Sequence, residues 1–299
     1  MNKRHWQNQQ ERGSPWALRL ILWVAIKLGR VPARLLLYPI TLYFFLTAHT
    51  ARRASRDYLQ RIFARRPGLF ERLWHIHCFS STILDRVFLL VGQFHRFDIR
   101  VHGTEILQQL SDRKQGCLLL SAHVGSFDAL RVIGIKQRDL PIHILMFPEH
   151  NSFITQLLHT LNPALLDSII PLGEIDTLLQ VQETVEQGGM VGLLGDRVAD
   201  EGKTVSCNFL GEEAQFPFGV AQLAAVLRVP VVLVFALYCG GNRYDIHIES
   251  FDLPTLPGSR RERESVLRTW LQNYANRLEV YVRSAPYNWF NFYDFWQKN

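Results

Sequence analysis

The chain has 299 residues, of which 47% are hydrophobic and 20% charged, a composition that is typical of ordered globular proteins and excludes a disordered chain. Its net charge of +6 is unevenly placed, because residues 1–66 hold thirteen of the 33 Lys and Arg residues but only two of the 27 Asp and Glu residues. A basic end joined to a mildly acidic body favours an anionic membrane surface as partner. Zinc-finger, RNA-binding and basic-region motifs do not occur in the sequence, so we expect no nucleic-acid partner.

Residues 1–66 contain two apolar stretches, 16–28 and 35–48, and six arginines follow between positions 52 and 66. A straight membrane span needs about 20 apolar residues, and the uncharged stretch 35–51 only reaches the lower limit of about 17. We predict a retained, membrane-associated helical segment, because tryptophans in the first stretch and tyrosines in the second suit the headgroup region. It could span the bilayer, form a hairpin broken near Pro32 and Pro39, or lie in the interface. A pair of buried core helices is the alternative.

From residue 67 onward, the hydrophobic pattern predicts strands that alternate with helices. After a helix over 69–93, strands are expected at 116–121, 142–147, 169–172, 190–194, 230–238 and 244–249, and helices at 127–135, 152–161, 175–186, 218–227 and 262–282. This alternation predicts an α/β domain over residues 67–299, with a mostly parallel central sheet flanked by helices. The four cysteines lie far apart without a Cys-x-x-Cys pair, which favours free thiols and chemistry that faces the cytoplasm.

His123 and Asp128 follow the buried strand predicted at 116–121, and functional groups in such sheets gather beyond the carboxyl ends of the strands. A continuous helix would turn the two side chains about 140° apart, but Gly125 and Ser126 offer a turn that brings them together. A neutral imidazole can take a proton from an alcohol while a carboxylate on its other ring nitrogen fixes the tautomer. We therefore predict His123 and Asp128 as a catalytic pair.

The spacing of this pair is not specific by itself, because His247 and Asp252 have the same spacing. His247 lies inside the alternating pattern YDIHIES, which is typical of an ordinary strand residue. Context therefore favours His123 over His247 as the catalytic base, and a structural histidine is the alternative at His123.

With His123-x-x-x-x-Asp128 in place, the chain from Ile99 to Trp296 resembles the lysophospholipid acyltransferase superfamily, and within it the bacterial late acyltransferases of lipid A biosynthesis. Later segments carry the resemblance: MFPEHN at 146–151, MVGLLGDRVADEGKT at 190–204, FLGEEAQFPFGVAQLA at 209–224 and VPVVLVFA at 229–236. The chain departs from the lipid A enzymes at Asp128, where they commonly have glutamate, and in its aromatic tail at 287–296, where theirs is basic. That tail could cover an acyl tunnel or, as we expect, pack on the core.

The resemblance also implies residues that bind the acceptor or the donor. Glu149 and His150 belong to the segment that would shape the acceptor site, Asp196 and Arg197 follow the strand predicted at 190–194, and Arg131 follows the His–Asp motif. The guanidinium of Arg197 could grip a phosphate through its bidentate fork. The alternatives are a structural salt bridge for Arg197 and a solvated loop charge for Glu149.

By this resemblance, the expected reaction transfers a fatty acyl group to a hydroxyl of a lipid or glycolipid, without an acyl-enzyme. The donor would be a thioester of acyl carrier protein or coenzyme A, used as a cosubstrate, with no metal or other cofactor. The expected location is the cytoplasmic face of the inner membrane. Two alternatives stay open: an α/β hydrolase or thioesterase, although no Gly-x-Ser-x-Gly elbow occurs, and a noncatalytic lipid-binding membrane protein.

Overall fold

The computed structural model describes residues 23–130, 142–147, 160–198 and 202–297. The strands are β1 (Asp98–His102), β2 (Cys117–Ser121), β3 (Ile142–Met146), β4 (Ile169–Pro171), β5 (Met190–Leu194), β6 (Thr204–Phe209), β7 (Glu212–Pro217), β8 (Val231–Tyr238) and β9 (Arg243–Phe251). The helices are α1 (Arg30–Thr47), α2 (His49–Phe63), α3 (Leu69–Leu90), α4 (Thr104–Asp112), α5 (Thr177–Glu186), α6 (Phe218–Leu227) and α7 (Arg260–Ser284).

Seven of these strands form the central sheet, in the order β1-β9-β8-β2-β5-β3-β4. Strands β8, β2, β5, β3 and β4 are parallel to one another, whereas β9 is antiparallel to β8 and pairs in parallel with β1. Strands β6 and β7 form a separate antiparallel hairpin. The predicted α/β fold with a mostly parallel central sheet is therefore confirmed.

Alternate side chains of the central strands enter two cores on opposite faces of the sheet. Leu118 and Leu120 of β2 point into the core that includes Leu271 of α7. Cys117 and Leu119 point into the core that α1, α3 and α4 cover. Because helices cover both faces, β2 is buried along its whole length, as expected for a central parallel strand.

The N-terminal helices pass the predicted break points without interruption. Helix α1 continues through Pro32, which lies in its first turn where the amide is not needed, and through Pro39. The chain bends instead at Ala48, where α1 and α2 meet at 94°. Within the described residues, no single helix has the length and apolar composition to cross a membrane. The bent pair α1–α2 has that length and composition only when its two helices are counted together.

Most predicted elements after residue 67 occur within a few residues of their predicted bounds, and α6 has the predicted bounds. The helix predicted at 127–135 is a 3₁₀ helix at Phe127–Leu130 as far as the structure describes it, and most of the helix predicted at 152–161 lies outside the described residues. The sequence did not predict β1, α4 or the β6–β7 hairpin. The boundary predicted near residues 66–68 stays a prediction, although Tyr58 and Leu59 of α2 are buried in the same core as Leu118.

Candidate active site

His123 and Asp196 lie at the carboxyl ends of two adjacent parallel strands. In the pairing of β2 with β5, Ser121 lies opposite Leu194, and each functional residue comes two positions after its strand's last residue. The strand register therefore continues into the loops and places the two side chains side by side. Both loops leave the sheet at the edge where α/β folds carry their ligand sites.

The carboxylate of Asp196 binds both the ring and the backbone of His123. His123 Nδ1 lies 2.7 Å from Asp196 Oδ1, and the His123 amide donates to both carboxylate oxygens at 3.1 Å. Asp196 is fully buried, whereas the His123 side chain keeps 24% of its surface exposed. The imidazole is thus held from one side and accessible from the other.

The charge states of this pair follow from its surroundings. Burial would raise the pKa of Asp196, but His123, Arg197 and Asn291 outweigh burial and hold that pKa at about 2. Burial, together with the positive charge of Arg197, lowers the pKa of His123 below its ordinary 6.5, and Asp196 offsets only part of this. An ionised carboxylate can only accept hydrogen bonds, so Nδ1 of the neutral ring carries the proton and Nε2 has the free electron pair.

The structure gives His123 a different carboxylate partner from the predicted Asp128. Asp128 lies in the 3₁₀ helix after β2 and forms an ion pair with Arg86 of α3. The Arg86 guanidinium is close enough to His123 to contribute to its lowered pKa. The sequence motif shows chain proximity, whereas the neighbouring strand supplies the carboxylate that contacts Nδ1. The catalytic role of Asp128 itself stays a prediction.

The loop from His123 to Ser126 requires glycine at position 125. Gly125 has a φ of +61°, and a Cβ atom there would lie 1.8 Å from the carbonyl oxygen of Ala236. The loop bonds to β8 through the Ser126 amide, which donates to that same oxygen at 2.9 Å. At Gly125 and Ser126, where the sequence predicted a turn, the loop is thus fastened to the sheet.

The aromatic tail completes the site, a role that the sequence did not predict. Trp289 Nε1 and Asn291 Nδ2 donate to Asp196 Oδ2 at 3.0 Å and 2.8 Å. The Phe290 amide donates to the His123 carbonyl oxygen at 2.8 Å. Both polar side chains are buried, so Asp196 has protein donors on each oxygen. The three polar residues of this aromatic tail, Asn288, Asn291 and Asp294, are the sequence signal that could have indicated this role.

Comparison with known proteins shows the family of this chain. The sequence model described as bacterial lipid A biosynthesis acyltransferase matches residues 84–298, a range that includes His123, Asp128, Asp196 and the tail. The chain belongs to this family. It is therefore an acyltransferase of lipid biosynthesis. No curated protein matches the chain.

Among solved structures, the chain is similar to the 1-acyl-sn-glycerophosphate (LPA) acyltransferase PlsC from Thermotoga maritima. The two sequences are 17% identical, and the alignment covers 85% of this chain and 96% of that chain, with a TM-score of 0.37.

The other predicted binding residues of this acyltransferase have different outcomes. Arg197 lies beside the His–Asp pair, where its Nε donates to Asn291 Oδ1 at 2.7 Å and its Nη2 donates to the Phe290 carbonyl oxygen at 3.0 Å. Both carboxylate oxygens of Asp196 accept hydrogen bonds from other residues of the protein. Arg131, Glu149 and His150 lie outside the described residues. Within the described ranges, no group of His, Cys, Asp and Glu side chains could hold a metal ion.

We expect Asn291→Ala to lower kcat about tenfold, a loss of roughly one hydrogen bond to a charged group, while KM for donor and acceptor stays unchanged. The substitution removes a donor from Asp196 and an acceptor from Arg197. Asn288→Ala is the matched control, because Asn288 is a buried amide of the same tail that bonds to the backbone of Tyr238. It should lower the melting temperature without a selective effect on kcat. Equal effects of the two variants would contradict a positioning role for Asn291.

Proposed function

We propose that this acyltransferase moves a fatty acyl group from a thioester of acyl carrier protein or coenzyme A to a hydroxyl of a lipid or glycolipid. The observation that carries the proposal is the 2.7 Å contact between His123 Nδ1 and Asp196 beyond the carboxyl ends of two parallel strands. The contact leaves Nε2 as the proton acceptor of a neutral, partly exposed imidazole. General-base catalysis of this kind contributes about 10²- to 10⁴-fold.

In the proposed reaction, the acceptor oxygen attacks the thioester carbonyl carbon while its proton moves to His123 Nε2. A C–O bond forms, the C–S bond then breaks, and the proton passes from the imidazolium to the departing thiolate. Asp196 stabilises the transient imidazolium through Nδ1 and stays ionised throughout, in line with its low pKa. No acyl-enzyme is required, because the acceptor alcohol is itself the nucleophile.

The reaction is proposed to take place at the cytoplasmic face of the inner membrane, where both a lipid acceptor and a soluble carrier are accessible. The basic residues of the N-terminal region support attachment to an anionic membrane surface. Asp128 with Arg86, and Arg197 with Asn291, are proposed to complete the site around the reacting groups. The two guanidiniums both lower the pKa of His123, which keeps the base neutral.

A transfer assay tests this function. The full-length protein in detergent is given palmitoyl-acyl carrier protein or palmitoyl-coenzyme A, with and without a bacterial membrane lipid extract. We expect thiol release that depends on the extract, and lipids whose mass increases by one palmitoyl group. Release of free palmitate at the same rate without the extract would instead assign a thioesterase, and absence of thiol release from both donors would contradict the proposed reaction.

A further inference from the structure

We propose that the enzyme attaches to the membrane side-on, with the outer face of α1 lying in the interface and the helix axis parallel to the bilayer plane. This inference rests on the membrane location in the proposed function and specifies its geometry. The surface is formed by an apolar stripe on α1 and an adjacent group of arginines, and the ligand is a bilayer that contains anionic phospholipids.

The outer face of α1 is apolar and unusually exposed. At about 100° per residue, its members fall within a band of about 80°: Val31, Leu35, Tyr38, Leu42 and Leu46. Each of these side chains, here called the α1 stripe, is between 49% and 73% exposed. A contiguous apolar surface of this kind indicates an interaction site. An amphipathic helix with such a face lies in the plane of the membrane.

The inner face of α1 is attached to the body of the protein. Ala33, Leu37 and Phe45 are buried there. Arg30 makes a bidentate ion pair with Asp85 of α3, at 2.7 Å and 2.8 Å, and Asp85 is fully buried and also accepts from Tyr244. If α1 left the body to cross the bilayer, it would strand the buried Asp85 carboxylate, which is strongly unfavourable. The helix can therefore meet lipid only with its outer face.

The surface next to the stripe is cationic. Arg52, Arg56, Arg66 and Arg72, here called the arginine cluster, lie on α2, in the α2–α3 loop and in the first turn of α3. Arg56 is partly neutralised by Asp57 at 3.2 Å. Arg52 and Arg72 both stack on Phe45, near the C-terminal end of α1.

Exposed Leu69 and Phe70 continue the apolar surface beyond the arginine cluster. A stack of rings, Tyr38–His77–Trp74–Phe70, connects them to the α1 stripe. Guanidiniums surrounded by exposed apolar side chains match the phosphates and the upper acyl region of an anionic bilayer. The charge and the apolar surface thus both favour an anionic bilayer as the partner.

Spin-label depth measurements test the orientation. Nitroxides are placed at Val31→Cys, Leu35→Cys, Leu42→Cys and Leu46→Cys in the full-length chain, with exposed Cys239 replaced by serine. The protein is bound to vesicles of phosphatidylethanolamine and phosphatidylglycerol. A side-on helix predicts four depths within about 5 Å of one another, all below the phosphates, whereas a helix along the membrane normal predicts a gradient of about 22 Å from residue 31 to residue 46, at 1.5 Å per residue.

Controls separate this inference from the proposed function. A label at Val226→Cys, an exposed apolar position on α6, should stay in water. Arg66→Gln should weaken vesicle binding about fivefold, the effect of one basic residue near an anionic surface, whereas Arg261→Gln should not. A depth gradient along α1 would overturn the side-on geometry, and so would stripe labels that a second copy buries in the absence of vesicles. Neither result would contradict the proposed acyl transfer. Failure of the intact protein to bind vesicles would overturn the membrane location as well.

Discussion

His123→Ala is expected to lower kcat for acyl transfer by about 10²- to 10⁴-fold, the usual contribution of a positioned general base. The substitution removes Nε2, which is proposed to take the proton of the acceptor hydroxyl. Substrate binding should change little, because the ring is proposed to act on the proton and not on the acyl chain. The rate is measured with saturating donor and membrane lipid extract, and KM for the donor is determined in parallel.

Two controls make the His123 result specific. His123→Asn keeps a donor near the position of Nδ1, and so preserves the contact with Asp196, but it has no counterpart of Nε2 and should be as inactive as the alanine variant. His247→Ala removes a histidine with the same spacing to a following aspartate. It should retain activity, because His247 lies in β9 and packs on His102 of β1 and Tyr281 of α7. A His123→Asn variant with wild-type kcat would remove the imidazole from the mechanism.

Asp196→Asn is expected to lower kcat by about 10³- to 10⁴-fold, the effect known for an aspartate that fixes the tautomer of a catalytic histidine. Asp196 accepts from His123 on one oxygen and from Trp289 and Asn291 on the other. An amide has only one oxygen, so when it satisfies the tail donors its NH₂ group faces Nδ1. The ring must then carry its proton on Nε2 and cannot act as a base.

The pH dependence of the rate distinguishes a wrong tautomer of His123 from simple misfolding. Because the base must be neutral, the rate falls as pH drops through the pKa of His123. Asp196 raises that pKa, so its loss should move the acidic limb of the residual rate to lower pH. Asp245→Asn, which breaks an ion pair with Arg243 on β9, should leave the profile unchanged. An Asp196→Asn enzyme with unaltered rate and profile would show that Asp196 does not orient the ring.

The same assay defines the role of Asp128. Since Asp128 pairs with Arg86, Asp128→Asn and Arg86→Gln should cause similar losses, and the double variant should lose little more than either one, as expected for residues that act as a unit. Additive losses would separate Asp128 from Arg86 and favour the direct contact with the imidazole that the sequence predicted.

The sequence predicted the elements well where a strong periodicity or an uninterrupted apolar run defines them, as in α6 and β8. It failed for β1, whose residues are nowhere fully buried, and for the β6–β7 hairpin, whose polar residues obscure the alternation. The His123 motif could be found from its place after β2. Its partner could not, because the order of strands in the sheet is a three-dimensional property, and only the pairing of β2 with β5 makes Asp196 a neighbour.

Trp289 and Asn291 reach the site from far along the chain, after the nine strands that the structure describes and after α7. A chain cut before Trp289 would therefore keep every described strand of the sheet but lose two of the side chains that donate to Asp196. Because Trp289 and Phe295 lie in one core and Phe290 in the other, such a truncated chain is expected to be less stable as well as a poor catalyst.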